Sequence, residues 1–183
     1  IVNAHPQTPA ATLPDERLRQ MRAMSEAAGW HVIELAWGRK LQKLFAKPGG
    51  ERLRAQLDAM SNLDYQRLLR LPAGGLRKAL VTDREGRADR MVDRLLGNIG
   101  DAALAGLVAD RGGHDIQVIL DAFEGAGRVR DKPVVIFAHT IKGWGLPFAG
   151  DPLNHTALLT ASQVDQLRAS AGVPPGAQWG GFP

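Results

Sequence analysis

Cysteine is missing from all 183 residues, which excludes a disulfide framework and any thiolate metal site and accords with a cytoplasmic setting. Long apolar runs are missing as well. No stretch reaches the roughly eighteen residues that a membrane-crossing helix needs, and no charged N-terminal segment leads into an apolar run, so neither a membrane span nor a secretory leader is expected. Aromatic residues are scarce, at 5% of the chain. That scarcity and the arrangement of charge argue against a nucleic-acid partner. The 23 Lys and Arg are balanced by 19 Asp and Glu to a net +4, and acids interrupt the arginines throughout, as in Asp83-Arg84-Glu85-Gly86-Arg87-Ala88-Asp89-Arg90. Such mixing reads as a solvated helical face, where a nucleic-acid binder would gather its basic residues into a patch.

What is present suits one α/β unit. With 44% hydrophobic residues, the chain can bury one substantial core and is too short for two ordinary domains. Three short apolar runs suit strands: residues 1–4, 31–37 and 133–140. The last holds Val134, Val135, Ile136, Phe137 and Ala138 in succession, the unalternating pattern of a parallel strand covered on both faces. Pro14, Asp15 and Glu16 suit the first turn of a helix that ends at Gly29. After His114, Ile116, Ile119, Leu120 and Phe123 recur at helical spacing, with Asp115 as a cap and Gly125 to Gly127 as the close. Residues 38–110 read as a helical insertion packed on the sheet, with helices at 39–46, 51–60, 65–71, 87–96 and 101–109, broken by Pro48-Gly49-Gly50 and Pro72-Ala73-Gly74-Gly75. Thr160 and Gln163 form a capping box for a last helix that carries Val164, Leu167 and Ala171 on one face. Alternating strands and helices predict a doubly wound parallel sheet with helices on both faces, incomplete at the N-terminus.

Ligands of such sheets bind beyond the carboxyl ends of the strands, which directs attention to residues 3–8, the turn after Trp37 and residues 140–145. Lys142 stands between Ile141 and Gly143 at the mouth of the third strand. A lysine there, with glycines that let backbone approach a ligand, suits an anion such as phosphate; an ordinary exposed loop lysine is the plainer reading. His155 follows a Pro- and Gly-rich loop and is suited to acid–base work near neutral pH; a capping or surface histidine is its plainer reading.

Four segments carry a family resemblance. Ala138-His139-Thr140-Ile141-Lys142-Gly143-Trp144-Gly145 is similar to the Ala-His-Thr-Ile-Lys-Gly-Tyr-Gly of the homodimeric decarboxylase component of bacterial pyruvate dehydrogenase complexes, in the transketolase superfamily. Arg111-Gly112-Gly113-His114-Asp115 matches that family's Arg-Gly-Gly-His-Asp. Ala28-Gly29-Trp30-His31-Val32-Ile33 with Ala36-Trp37-Gly38 resembles its Ala-Gly-Trp-Asn-Val-Ile and Trp-Gly, and Asp64-Tyr65-Gln66 its Asp-Tyr-Gln. Each is weak by itself; the ordered set is strong.

The resemblance implies a thiamine diphosphate-binding fold whose parent decarboxylates a 2-oxoacid and passes the acyl group to the lipoyl acyltransferase component. Lys142 corresponds to the lysine on the cofactor diphosphate, and His155 to the histidine of the family's mobile loop, which serves acylation of the lipoyl partner. Asn3-Ala4-His5-Pro6-Gln7 lies where the family has Asn-Cys-Asn-Leu-Gln, implying Asn3 and Gln7 as cofactor contacts and His5 and Gln7 as magnesium ligands. His5 replaces the family's ligand asparagine there, and imidazole is a poor ligand for a cation that prefers hard oxygen donors. His114 and Asp115 read as structural residues that cap and orient the following helix. The opening Ile1-Val2-Asn3-Ala4, like the middle of a buried strand, leads us to expect a chain cut from something larger: residues 1–172 as the C-terminal portion of the diphosphate-side domain and residues 173–183 as a linker. The family's Gly-Asp-Gly and its ylid-forming glutamate find no counterpart here, so the isolated chain is expected to be inactive without the remainder of the enzyme or companion chains, in a homodimer or multi-chain assembly. Two other readings remain: a transketolase-like ketol transferase, weakened because Thr156 rather than Gly follows His155, and a non-catalytic subunit or remnant, favoured by His5.

Overall fold

The computed structural model describes residues 2–4, 14–83, 86–151, 156–177 and 180. Strand β1 (Val2–Ala4) precedes helix α1 (Pro14–Ala27) and strand β2 (His31–Leu35). Six helices follow: α2 (Arg39–Phe45), α3 (Gly50–Asp58), α4 (Asn62–Leu69), α5 (Ala73–Val81), α6 (Arg90–Leu96) and α7 (Asp101–Val108). A single 3-10 turn over Gly112–His114 then leads into α8 (Ile116–Arg128), strand β3 (Val134–His139) and α9 (Ala161–Ser170).

The three strands are parallel in the order β1-β3-β2, which places the last strand in the centre. Central position explains the apolar run of β3, in which Phe137 is 1% exposed. Chain direction across the sheet reverses between the two crossovers, from β1 out to β2 and then back to β3. Right-handed crossovers must therefore lie on opposite faces. Side chains agree. Helix α8 covers the face of Ile33, Leu35, Ile136 and Ala138 through Val118, Ile119, Ala122 and Ala126. Helix α1 reaches the other face, where Arg22 pairs with Glu34 at 2.6 Å. The sheet is doubly wound, as the alternation of elements implies.

The outer face of α8 carries large apolar side chains. Ile116, Leu120 and Phe123 are 74%, 49% and 49% exposed, and of the four periodic residues Ile119 is the one packed into the core against the sheet. Small residues take that side because they let the helix approach the strands; a Cβ on Gly125 would lie 4.0 Å from the Ile33 side chain. Glycines 125 and 127 do not close α8, since it runs on to Arg128.

The helical stretch between β2 and the 3-10 turn carries its own core rather than leaning on the sheet. Leu41, Leu53, Leu76, Val92, Leu96 and Leu104 are each 1% exposed or less. Trp37, just past β2, belongs to this second core and ties it to the sheet. The break expected at Pro72-Ala73-Gly74-Gly75 is shorter than its sequence: α4 ends at Leu69, Pro72 is already the N-cap of α5, and Ala73, Gly74 and Gly75 form the first turn of that further helix, in which Leu76 and Leu80 bury one turn apart. Proline fits there because the first N–H groups of a helix have no intrahelical partner to lose. Among the described residues of the mixed-charge run, Arg90 alone is helical: Thr82 and Ala88 bridge across a turn, and Asp89 caps α6. No helix among the described residues is long and apolar enough to cross a membrane.

Candidate functional site

Parallel pairing brings the carboxyl ends of all three strands to one edge, with Ala4 opposite His139 and Leu35 opposite Ala138. Past His139, the chain folds through consecutive turns. Trp144 N donates to Ile141 O (3.1 Å), Leu146 N to Gly143 O (2.9 Å) and Gly150 N to Lys142 O (3.2 Å). Gly143 and Gly145, at φ 71° and 80°, occupy the left-handed region that side chains avoid, so these turns require glycine. Lys142 lines a concavity of about 330 Å³ between Leu146 and Phe148 on one side and residues 157–159 on the other.

Arg111-Gly112-Gly113-His114-Asp115 wedges between the ends of β2 and β3, and each residue has a separate task. A Cβ on Gly112 would lie 2.5 Å from Leu35 O, and one on Gly113 2.6 Å from His139 O. Neither position admits a side chain. Asp115 caps α8 by accepting from Gln117 N (3.1 Å) and Val118 N (3.4 Å), and it also accepts from Arg39 N (2.9 Å). Burial alone would raise the Asp115 carboxyl, but the hydrogen bonds from Arg39 and the helix N–H groups hold it below its ordinary value. His114 departs from its expected capping role. Its Nε2 accepts the Ile141 N–H at 2.7 Å, and its ring stacks on Trp144 with centroids 4.7 Å apart.

On the opposite side, a chain of charged and polar groups runs across the sheet. The Arg111 guanidinium lies 4.2 Å from the centroid of Trp37 and 4.9 Å from that of Tyr65, and donates to His139 Nδ1 at 2.7 Å. Arginine can only donate, so Nδ1 is the acceptor and the His139 proton sits on Nε2. That nitrogen donates to Glu34 Oε1 at 2.9 Å, while Arg22 donates to Glu34 Oε2. The His139 hydrogen bond is the leading cause that holds the Glu34 carboxyl below its usual range; burial opposes it and Arg22 assists. An opening of about 420 Å³ lies above this chain, bounded by Trp37, Asp58, Tyr65, Arg111 and His139.

Of the residues singled out from sequence, Lys142 stands at the β3 mouth as expected. Asn3 lies in β1 opposite Ala138; its side chain, together with His5, Gln7 and His155, falls outside the described residues. Among the described residues, no group of three or more His, Asp or Glu could hold a metal ion. Sequence reasoning missed the Arg111–His139–Glu34 chain, whose members are up to 105 positions apart. Two signals were available: a carboxylate inside the apolar strand Ile33-Glu34-Leu35, and an arginine beside a double glycine.

Comparison with known proteins bears on this edge of the sheet. Residues 101–180 match the family described as transketolase, thiamine diphosphate binding domain. The pyruvate dehydrogenase E1 component of Corynebacterium glutamicum is 30% identical over 160 residues, 86% of this chain and 17% of that protein. Over most of its length the chain is thus similar to a part of the pyruvate dehydrogenase E1 components. Those of Escherichia coli K12 and Mycobacterium tuberculosis are each 28% identical, over 82% and 86% of this chain and 16% of their own length. The chain spans about a sixth of the length of the curated proteins it matches. The matched family segment contains the glycine wedge, the Lys142 turn and α9.

Proposed function

We propose that this chain supplies the diphosphate side of a thiamine diphosphate-dependent 2-oxoacid dehydrogenase component of the pyruvate type. The observation that carries this reading is the position of Lys142 on a glycine-bearing turn at the mouth of the central parallel strand, within a segment that matches the thiamine diphosphate-binding domain. The turn fits an anion: its lysine can bring a point positive charge, and glycines at positive φ bare the backbone for close approach. When bound, the cofactor supplies the carbanion chemistry that breaks the bond to the 2-oxoacid carboxylate, and protein groups supply placement and electrostatics.

In this reading, Lys142 binds the diphosphate, with Asn3 and Gln7 as further contacts. His5 and Gln7 stand at the magnesium position, and His155 serves transfer of the acyl group to a lipoyl acyltransferase component. The return of residues 157–159 to the concavity that Lys142 lines supports a role for the neighbouring His155. The remainder of the enzyme, or companion chains in a homodimeric or multi-chain assembly in the cytoplasm, completes the site. His5 favours a second reading, a non-catalytic relative that keeps the fold.

Calorimetric titration of thiamine diphosphate with magnesium into the complete assembly separates the two. A charge-assisted hydrogen bond is worth about 1.5–3 kcal/mol, so Lys142→Ala should weaken binding roughly ten- to a hundredfold. Absence of binding to the unaltered protein would favour the non-catalytic relative. His155→Ala should slow acyl transfer to lipoyl more than decarboxylation measured with an artificial acceptor; equal losses would contradict its role.

A further inference from the structure

We infer that His114 is a positioning residue for Lys142, holding the lysine's turn from both sides with one imidazole. This rests on the reading of Lys142 as a diphosphate contact. The residue before the lysine, Ile141, donates its N–H to His114 Nε2 at 2.7 Å. Two residues after it, Trp144 stacks on the same ring at 4.7 Å between centroids and 14° between planes. The turn closes on itself through Trp144 N to Ile141 O (3.1 Å), so Lys142 is carried on a loop whose two ends are clamped by a single side chain. The base of the clamp is rigid. Gly113 lies so close to the β3 end that its own Cβ would meet His139 O at 2.6 Å, and Asp115 locks the other side to Arg39 and to the α8 N-terminus. Close packing of this kind transmits position, since neither neighbour can yield.

The clamp works only with a neutral ring. Nε2 accepts from a backbone N–H, so the single proton of the neutral imidazole is on Nδ1; an imidazolium has no lone pair to offer. Burial lowers the His114 pKa from its ordinary value, and the positive charge of Arg111 acts in the same direction. The other charged groups around it are engaged elsewhere. Asp115 is paired with Arg39, and His139 lies between Arg111 and Glu34. The surroundings therefore maintain the acceptor state at neutral pH.

Two substitutions separate the hydrogen bond from the ring. His114→Phe keeps a ring for Trp144 and removes the acceptor; His114→Gln places an amide oxygen near Nε2 and removes the ring. Hydrogen exchange at the Ile141 amide reads the clamp directly, and titration with thiamine diphosphate and magnesium reads its effect on Lys142, both in the complete assembly with folding checked by circular dichroism. His114→Phe should speed Ile141 exchange about tenfold and weaken binding by up to a similar factor, the worth of one hydrogen bond, while His114→Gln should restore most of both. Acidification should release the Ile141 amide in the unaltered protein and not in His114→Gln. An Ile141 amide as well protected in His114→Phe as in the unaltered protein overturns the clamp, as does a Gln variant no better than Phe. If the unaltered protein fails to bind thiamine diphosphate, the Lys142 reading falls and takes the purpose of the clamp with it, while the exchange data still decide whether the clamp exists.

Discussion

A single methyl group added at Gly112 tests whether the glycine wedge sets the strand-end geometry. The new Cβ would sit 2.5 Å from Leu35 O, 2.6 Å from Leu35 C and 3.0 Å from Leu35 Cα. All three are backbone atoms of the last residue of β2, which pairs with Ala138 of the central strand, so no side chain can swing aside. Relief must come from moving the wedge, with loss of the Gly112 N to Ala36 O hydrogen bond (3.3 Å). Overpacking of this kind costs about 1–3 kcal/mol, and contact with immobile backbone belongs at the upper end. For a chain of this length each kcal/mol shifts Tm by roughly 2–4 °C, so Gly112→Ala should melt about 6–12 °C lower. Gly106→Ala is the control. Gly106 lies within α7, and its Cβ would meet nothing within 4 Å, so alanine should stabilise by about 1 kcal/mol through helix propensity. Thermal unfolding followed by far-ultraviolet circular dichroism measures both. A Gly112→Ala protein that melts no lower than the unaltered one would refute the wedge.

Asp115→Ala removes the α8 cap and the Arg39 partner together, and should lower stability by about 1–2 kcal/mol, seen as an earlier urea midpoint with unchanged slope; an unmoved midpoint would contradict the assignment. Glu34 makes a prediction about acid. Its folded pKa lies below the unfolded value of 4.5, so the unfolded state binds more protons and the contribution of Glu34 is complete above about pH 4.5, then disappears as pH falls through the folded value. Glu34→Gln should therefore flatten the acid limb of stability against pH, and an identical limb in both proteins would exclude the Arg22–Glu34–His139 chain as its source.

How far sequence reasoning reached depended on whether the signal was local. The unbroken apolar run of β3 identified a strand covered on both faces, and local hydrogen-bonding residues identified the Asp115 cap and the Thr160–Gln163 capping box. Local signals also misled. Pro72 and two glycines read as a break throughout, whereas the proline already caps a helix and the glycines form its first turn, ahead of the buried pair Leu76 and Leu80. Helix α8 has apolar residues on two sides, and periodicity alone selected the larger ones, whereas the sheet receives Ala122 and Ala126. Adjacency in sequence points His114 to the helix that follows it, whereas its partners Ile141 and Trp144 lie 27 positions and more away. Glu34 and His139 meet for the same non-local reason, since parallel pairing places their strands side by side.

The central claim is that the ammonium of Lys142 faces a pyrophosphate beyond the central strand. A crystal structure of the complete assembly with thiamine diphosphate and magnesium measures this directly. The account predicts Lys142 Nζ within about 2.7–3.2 Å of a diphosphate oxygen; a diphosphate bound with its oxygens turned away from the residue 140–145 turn would contradict it.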